Sequence, residues 1–135
     1  MCNERVVIKR GDIFYIDIPK DEKDKHKQWG CRPCIVVSND KNNVYNSRIQ
    51  YVPLTSKMNK TKLPTHVPLI NTEMQKESTA LCECIDSIDK SFIREKIGRV
   101  SKRDMLYIEM GVDIQLHSKE YLQFIVKFTK QFNYA

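Results

Sequence analysis

The residue best placed for chemistry is Arg32, in the stretch Gly30-Cys31-Arg32-Pro33-Cys34-Ile35-Val36-Val37-Ser38-Asn39-Asp40. Pro33 fixes its own φ and pushes Arg32 toward an extended conformation, and the apolar run behind it ends at a turn signal. The guanidinium is thereby held at the mouth of a strand. It is a rigid, permanently charged fork that matches phosphate oxygens, and no acid lies between Asp24 and Asp40 to neutralise it locally. Two readings stay open from these residues: a phosphate-facing arginine, or a solvated surface arginine paired over longer range. Trp29, the only tryptophan, closes a charged loop beside it. It suits stacking on a nucleobase, or it caps the core. His66 follows Lys62-Leu63-Pro64-Thr65, where an imidazole can bind a base edge, join proton transfer or stay structural.

These residues are few conventional tools for hydrolysing a phosphodiester. There is no carboxylate cluster with metal-ligand spacing and no Gly-rich phosphate loop, and His26, His66 and His117 form no obvious pair. RNA, however, carries its own nucleophile in the 2′-hydroxyl. A protein acting on it needs mainly to position the phosphate, stabilise charge on the non-bridging oxygens and move a proton. One arginine and one hydroxyl side chain would do much of that.

The totals agree with an anionic partner. The 135 residues carry a formal charge of +6, and Lys41 to Thr72 contains no acid while holding Lys41, Arg48, Lys57, Lys60 and Lys62. Five cysteines, an odd number, argue against a closed disulfide framework and for a reducing compartment. Cys31, Cys34, Cys82 and Cys84 also permit a four-thiolate zinc site. Buried reduced thiols are the preferred reading, because the first pair brackets a proline at a strand entrance and the second reads as one face of a strand. No apolar run reaches a membrane span, and the N-terminus lacks a signal-peptide core, so a cytoplasmic protein with no membrane partner is expected.

The elements that must position these groups are short. Ile13 to Ile18 alternates with Phe14, Ile16 and Ile18 on one face, and Arg10-Gly11-Asp12 reads as the turn into it. Residues 19–29 form a solvated loop. Cys34 to Ser38 is a second strand, Asn39 to Asn43 a turn, and Arg48 to Thr55 a third strand whose end Pro53 should place at an edge or bulge, delivering Thr55 and Ser56 to a rim. A short strand follows His66, another spans Ser78 to Ile85, Asp86 to Lys90 turns into a short helical piece, and Lys96 to Val100 is the last strand. Such a count predicts a small, partly closed barrel. Ser101 and Ser118 cap two helices, with Met105, Ile108 and Val112 on the first and Tyr121, Leu122, Ile125, Phe128 and Phe132 on the second. Core packing is expected of both stripes.

Taken in order, Arg10-Gly11-Asp12-Ile13, Gly30-x-Arg32-Pro33-x-Ile35-Val36-Val37-x-Asn39-Asp40, Leu54-Thr55, Lys62-Leu63-Pro64-Thr65-His66-Val67 and Ile85-x-x-Ile88-Asp89-Lys90 resemble the MazF/PemK family of toxin endoribonucleases over about residues 9–116. The resemblance implies a mainly β fold with C-terminal helices, a small SH3-like, partly open β-barrel of the CcdB/MazF type, forming a homodimer. It implies one MazF-like domain over 1–135, of which 117–135 extend past the usual end as a helix. It implies the toxin of a type II toxin-antitoxin system: a sequence-specific mRNA interferase that cuts single-stranded RNA without a metal or other cofactor, leaving 2′,3′-cyclic phosphate and 5′-hydroxyl ends. The implied partners are the RNA and a bacterial MazE-type antitoxin with an acidic, flexible tail. By position, Arg32 and Thr55 match the catalytic pair. Gln28, Trp29, Ser56, Lys62, Leu63, Pro64, His66, Glu83 and Cys84 fall where the family binds RNA.

The chain also departs from the family pattern. Lys27 stands where many relatives place an assisting acid, and Cys84 and Asp86 occupy base-reading positions often held by Gln and Arg. Cleavage specificity is therefore not transferable from a relative. Two other functions compete: a CcdB-type toxin that poisons DNA gyrase and needs no active site, and a non-catalytic RNA-binding barrel.

Overall fold

A computed structural model describes residues 6–24, 29–56, 63–69 and 77–131. Seven strands form a mainly antiparallel sheet followed by two C-terminal helices. β1 (Asp12–Ile18) pairs with β2 (Gly30–Val36) from Ile13 opposite Ile35 to Ile18 opposite Gly30. The second strand thus starts earlier than the apolar run suggests and includes Arg32. Its first residue, Gly30, has φ +86°, a conformation that costs side-chain-bearing residues and lets the chain swing out of the charged loop.

β3 (Arg48–Thr55) is central rather than an edge. On one side it pairs with β2; on the other it meets β6 (Asp86–Asp89) along Arg48 to Tyr51 and β5 (Thr79–Leu81) at Leu54 and Thr55. The fully buried Pro53 lies at the handover from β6 to β5, where its missing N–H interrupts no ladder on that side. β4 (His66–Pro68) extends the sheet beyond β5, and β7 (Ile93–Arg99) flanks β1 at the other end. Among the described residues β4 and β7 do not pair, so the sheet remains open.

Three local expectations are corrected. The Ser78 to Ile85 stretch is a strand only through Leu81; Cys82–Cys84 form a 3₁₀ turn, so the two thiols do not share a strand face. Asp86–Asp89 is a strand rather than a turn, recruited by pairing with β3, and the helical piece comes after it at Lys90–Phe92. The Asn39 turn is the N-cap of a six-residue helix, α1 (Asp40–Tyr45), with the Asn39 side chain accepting from the Asn42 amide at 2.8 Å.

Strand alternation divides the core between the two faces of the sheet. Ile13, Ile35, Val52, Leu54, Val67 and Ala80 pack with Ile108 of α2 (Lys102–Leu116) on one face. Phe14, Ile16, Ile18, Cys34, Val36, Ile49 and Tyr51 pack on the other. The Asp12 carboxylate is buried, accepting from the Lys9 amide at 2.9 Å and from Arg99 Nη1 at 2.8 Å, which makes the Arg-Gly-Asp triplet a structural turn. α2 meets the expectation of core packing through buried Ile108, with Met105 and Val112 partly buried against the same cluster. α3 (Lys119–Gln131) does not: it forms as expected but buries no residue. No helix among the described residues is long and apolar enough to cross a membrane.

Candidate active site

Register places the chemistry. The β2–β3 ladder runs Val36 opposite Tyr51, Ile35 opposite Val52 and Cys34 opposite Pro53 and ends there; Arg32 stands two residues from Cys34 on β2 and Thr55 two residues from Pro53 on β3. Directly opposed residues share a face, so both side chains belong to the face of Cys34, Val36 and Tyr51. Beyond β3, Thr55 is opposite Thr79, and Thr79 is opposite Pro68. His66 is opposite Leu81, on that same face and two residues along from Thr79. Arg32, Thr55, Thr79 and His66 thus line one surface that spans β2, β3, β5 and β4. Strands about 4.8 Å apart put His66 roughly 12 Å from Thr55 along the backbone, a separation that an extended dinucleotide covers.

Arg32 is half-buried and held locally. Its Nε donates to the Trp29 carbonyl at 2.9 Å, which occupies one edge of the fork and leaves the Nη edge without an ion pair among the described residues. The carbonyl of Arg32 in turn accepts from the Cys34 thiol at 3.5 Å. Trp29 is 50% exposed, which overturns its reading as a core cap; the Lys20 ammonium sits 5.1 Å over its ring. Thr55 is half-buried and Ser56 exposed at the strand end, a rim position as expected. Gln28 and Lys62 lie outside the described residues, as does Lys27.

The loop before β4 carries exposed Leu63 and Pro64, then turns inward. His66 Nε2 lies 2.6 Å from Glu83 Oε2, and Thr65 Oγ1 donates to Glu83 Oε1 at 3.1 Å. The Leu63 amide points at His66 Nδ1 at 3.4 Å, which makes Nδ1 an acceptor and assigns the proton to Nε2. Both nitrogens are engaged by protein, so the ring serves to hold Glu83 and present a surface. This pairing across seventeen residues was not legible in the sequence. The only available signal was that a histidine in a basic loop and an acid after a β-rich run each fell among the positions the family uses.

Cys84 is half-exposed, and burial next to Glu83 and Asp24 raises its thiol pKa. Burial raises the Tyr51 phenol as well, reinforced by neighbouring Asp86, Cys34 and Cys84. Acids therefore stand near Cys84 and Tyr51 on this part of the sheet. The acid-free segment does not form one basic patch among the described residues. Lys41 lies on α1, and Arg48, at the opposite end of β3 about 24 Å from Thr55, donates to the Ser87 hydroxyl and carbonyl at 3.0 and 2.9 Å. No group of three or more His, Cys, Asp or Glu among the described residues is placed to hold a metal ion, and the four described cysteines are free thiols.

The family model for PemK-like, MazF-like toxins of type II toxin-antitoxin systems matches residues 9–116. The chain belongs to the PemK/MazF toxin family. Endoribonuclease MazF of Staphylococcus saprophyticus subsp. saprophyticus is 30% identical over 112 residues, covering 82% of this chain and 92% of that protein. The fold agrees with MazF from Deinococcus radiodurans, at a TM-score of 0.72 and 20% identity over 83% of this chain and 98% of that one. It also agrees with a MazE-MazF structure from the same organism, at 0.67 and 20% over 83% and 97%. The PemK/MazF match contains Arg32, Thr55, His66 and Glu83 and ends where α2 ends. α3 lies beyond it.

Proposed function

We propose that this chain cleaves single-stranded RNA at the surface shared by Arg32 and Thr55, using the substrate's own 2′-hydroxyl. Membership of the PemK/MazF family, with a relative named as an endoribonuclease at this identity, makes it an endoribonuclease of a type II toxin-antitoxin system. In the proposed step the 2′-oxygen bonds to phosphorus as the bond from phosphorus to the 5′-oxygen breaks. One proton leaves the 2′-hydroxyl and one reaches the departing 5′-oxygen, so the products are a 2′,3′-cyclic phosphate and a 5′-hydroxyl. Arg32 would neutralise the non-bridging oxygens through its Nη edge, and the Thr55 hydroxyl would donate to the same phosphoryl group as charge builds. No metal is assigned to the step.

The observation that supports this reading best is the strand register that puts Arg32 and Thr55 on one face, with the guanidinium steadied by the Trp29 carbonyl. Gln28, Trp29, Ser56, Lys62, Leu63, Pro64, His66, Glu83 and Cys84 are proposed to bind the flanking nucleotides, Trp29 by stacking and Glu83 as an acceptor steadied by His66 and Thr65. We further propose a partly open SH3-like barrel that acts in the cytoplasm as a homodimer. A MazE-type antitoxin would cover the RNA surface with an acidic tail, as the presence of MazE-MazF among structures of this fold supports.

Purified Arg32→Ala and Thr55→Ala, assayed on a long mixed-sequence RNA with a chelator present, should each lose about 10²–10³ of the wild-type cleavage rate. Their melting temperatures should stay near wild type. Undiminished cleavage in both variants would remove this site, and DNA damage with intact RNA would favour gyrase poisoning.

A further inference from the structure

Gly30 opens β2 and is the last residue of that strand to pair with β1, opposite Ile18, so the loop before it enters the sheet through the peptide that joins Trp29 to Gly30. Its φ of +86° lies in the left-handed region. Rotation about that bond sets how the peptide plane in front of Gly30, carrying the Trp29 carbonyl, is turned relative to the strand behind it. At this φ the carbonyl comes round to the Arg32 side chain, whose Nε donates to it at 2.9 Å. The φ of an ordinary antiparallel strand would turn the same plane by roughly 130° and carry the carbonyl off the guanidinium. A Cβ built on Gly30 meets nothing within 4 Å, so the position has room for a side chain and needs glycine for its conformation alone.

We propose that Gly30 is a positioning residue that acts through Arg32: its left-handed backbone aims the Trp29 carbonyl at Nε and so decides which edge of the guanidinium faces a phosphoryl group. The role of Arg32 itself rests on the cleavage reading above. An arginine can meet a phosphate by either edge of its fork. With Nε taken by Trp29, the edge that remains is the pair of Nη groups. The Nε bond is open to water, and such a bond contributes little by itself. It holds a fixed direction because its acceptor is backbone, set by φ at Gly30 and by the ladder that ends there. The ring of Trp29 is engaged separately: it is 50% exposed, with Lys20 Nζ 5.1 Å over it. One residue thus has two independent tasks, its ring facing the ligand and its carbonyl facing Arg32. Loss of the ring then weakens binding, whereas loss of the carbonyl's orientation slows the reaction.

The test is Gly30→Asn, Gly30→Ala and Gly30→Val in the full chain, assayed on a mapped RNA oligonucleotide with a chelator present. Asparagine tolerates the left-handed region better than alanine, and a β-branched residue tolerates it least. The order of kcat should therefore be Gly, Asn, Ala, Val, which follows backbone tolerance and not side-chain size. Gly30→Ala should lose at least about tenfold in kcat with KM within about twofold of wild type. Trp29→Ala, which removes the ring and keeps the carbonyl, should raise KM instead. In an Arg32→Ala background, Gly30→Ala should cost nothing further; a glycine needed only for the fold would keep its full cost there. The bond is also read without catalysis, by isotope-edited NMR of the Arg32 Nε–H: protected from exchange in wild type, unprotected in Gly30→Ala. Wild-type kcat in Gly30→Ala, Gly30→Asn no better than Gly30→Ala, or an undiminished further loss in the Arg32→Ala background would each overturn the proposal. Cleavage by Arg32→Ala at the wild-type rate would sink the cleavage reading and the catalytic part of this one with it. Unchanged Nε–H protection in Gly30→Ala would overturn the orienting role even where the cleavage reading stands.

Discussion

The four described cysteines lie within a few positions of Arg32 or Glu83, and burial separates their chemistry. Cys34 and Cys82 are fully enclosed; burial lifts both thiols, and Cys82 is pushed up to about 12. The unfolded chain ionises these thiols near their ordinary value of 9.0, whereas the folded chain keeps them protonated. Below pH 9 both states hold the proton and the stabilisation is complete. Between pH 9 and 12 the unfolded state binds fewer protons, so stability must fall as pH rises. Thermal melts from pH 7 to 11 should show a loss beginning near 9, and a thiol reagent at neutral pH should modify Cys31 while sparing Cys34 and Cys82 until the chain unfolds. Labelling of Cys82 in the native state would contradict this burial. At the same scale the extended backbone of Arg32 was legible because Pro33 constrains it. The carbonyl that captures its Nε was not, because a backbone oxygen three residues away leaves no signature in residue types.

The elements show where alternation is informative and where it fails. β1 and β3 were readable because long runs of β-formers put one face into the core. β6 was not, since four residues beginning and ending in aspartate become a strand only because β3 presents an open edge to them. α3 formed where its cap and periodicity placed it, but periodicity cannot say whether its apolar face finds a partner within the chain. The fit of α2 against the 3₁₀ turn is tighter than any pattern reveals. A Cβ built on Gly111 would stand 2.7 Å from Cys82 Sγ and 3.2 Å from its Cβ, in a spot where Cys82 also points at the Ile108 carbonyl. Alanine is intrinsically better than glycine inside a helix by about 1 kcal/mol, but overpacking a closed core costs about 1–3 kcal/mol. Gly111→Ala should therefore be neutral to destabilising by up to about 2 kcal/mol in urea melts, rather than stabilising. A clear gain in stability would mean the helix and the turn have room that the fit denies.

At the scale of the molecule, one open sheet has two uses. One face, under α2, gives the core its helical cover; the other carries Arg32, Thr55, Thr79 and His66 across four strands. A positive chain with an acid-free segment pointed to an anionic partner. The described residues combine one arginine, an exposed tryptophan and a clustered acid, an arrangement suited to reading bases as well as holding phosphate. Such a surface gains little from generic charge, and the proposed reaction depends on an attacking oxygen that only RNA brings. The most direct measurement is cleavage of a mapped RNA oligonucleotide, with a chelator present, beside the same oligonucleotide carrying a single 2′-deoxyribose on the 5′ side of the cut. The all-ribose strand should yield a 2′,3′-cyclic phosphate and a 5′-hydroxyl, and the substituted linkage should stay intact. Cutting of the deoxy linkage at a comparable rate would contradict 2′-hydroxyl attack at Arg32 and Thr55.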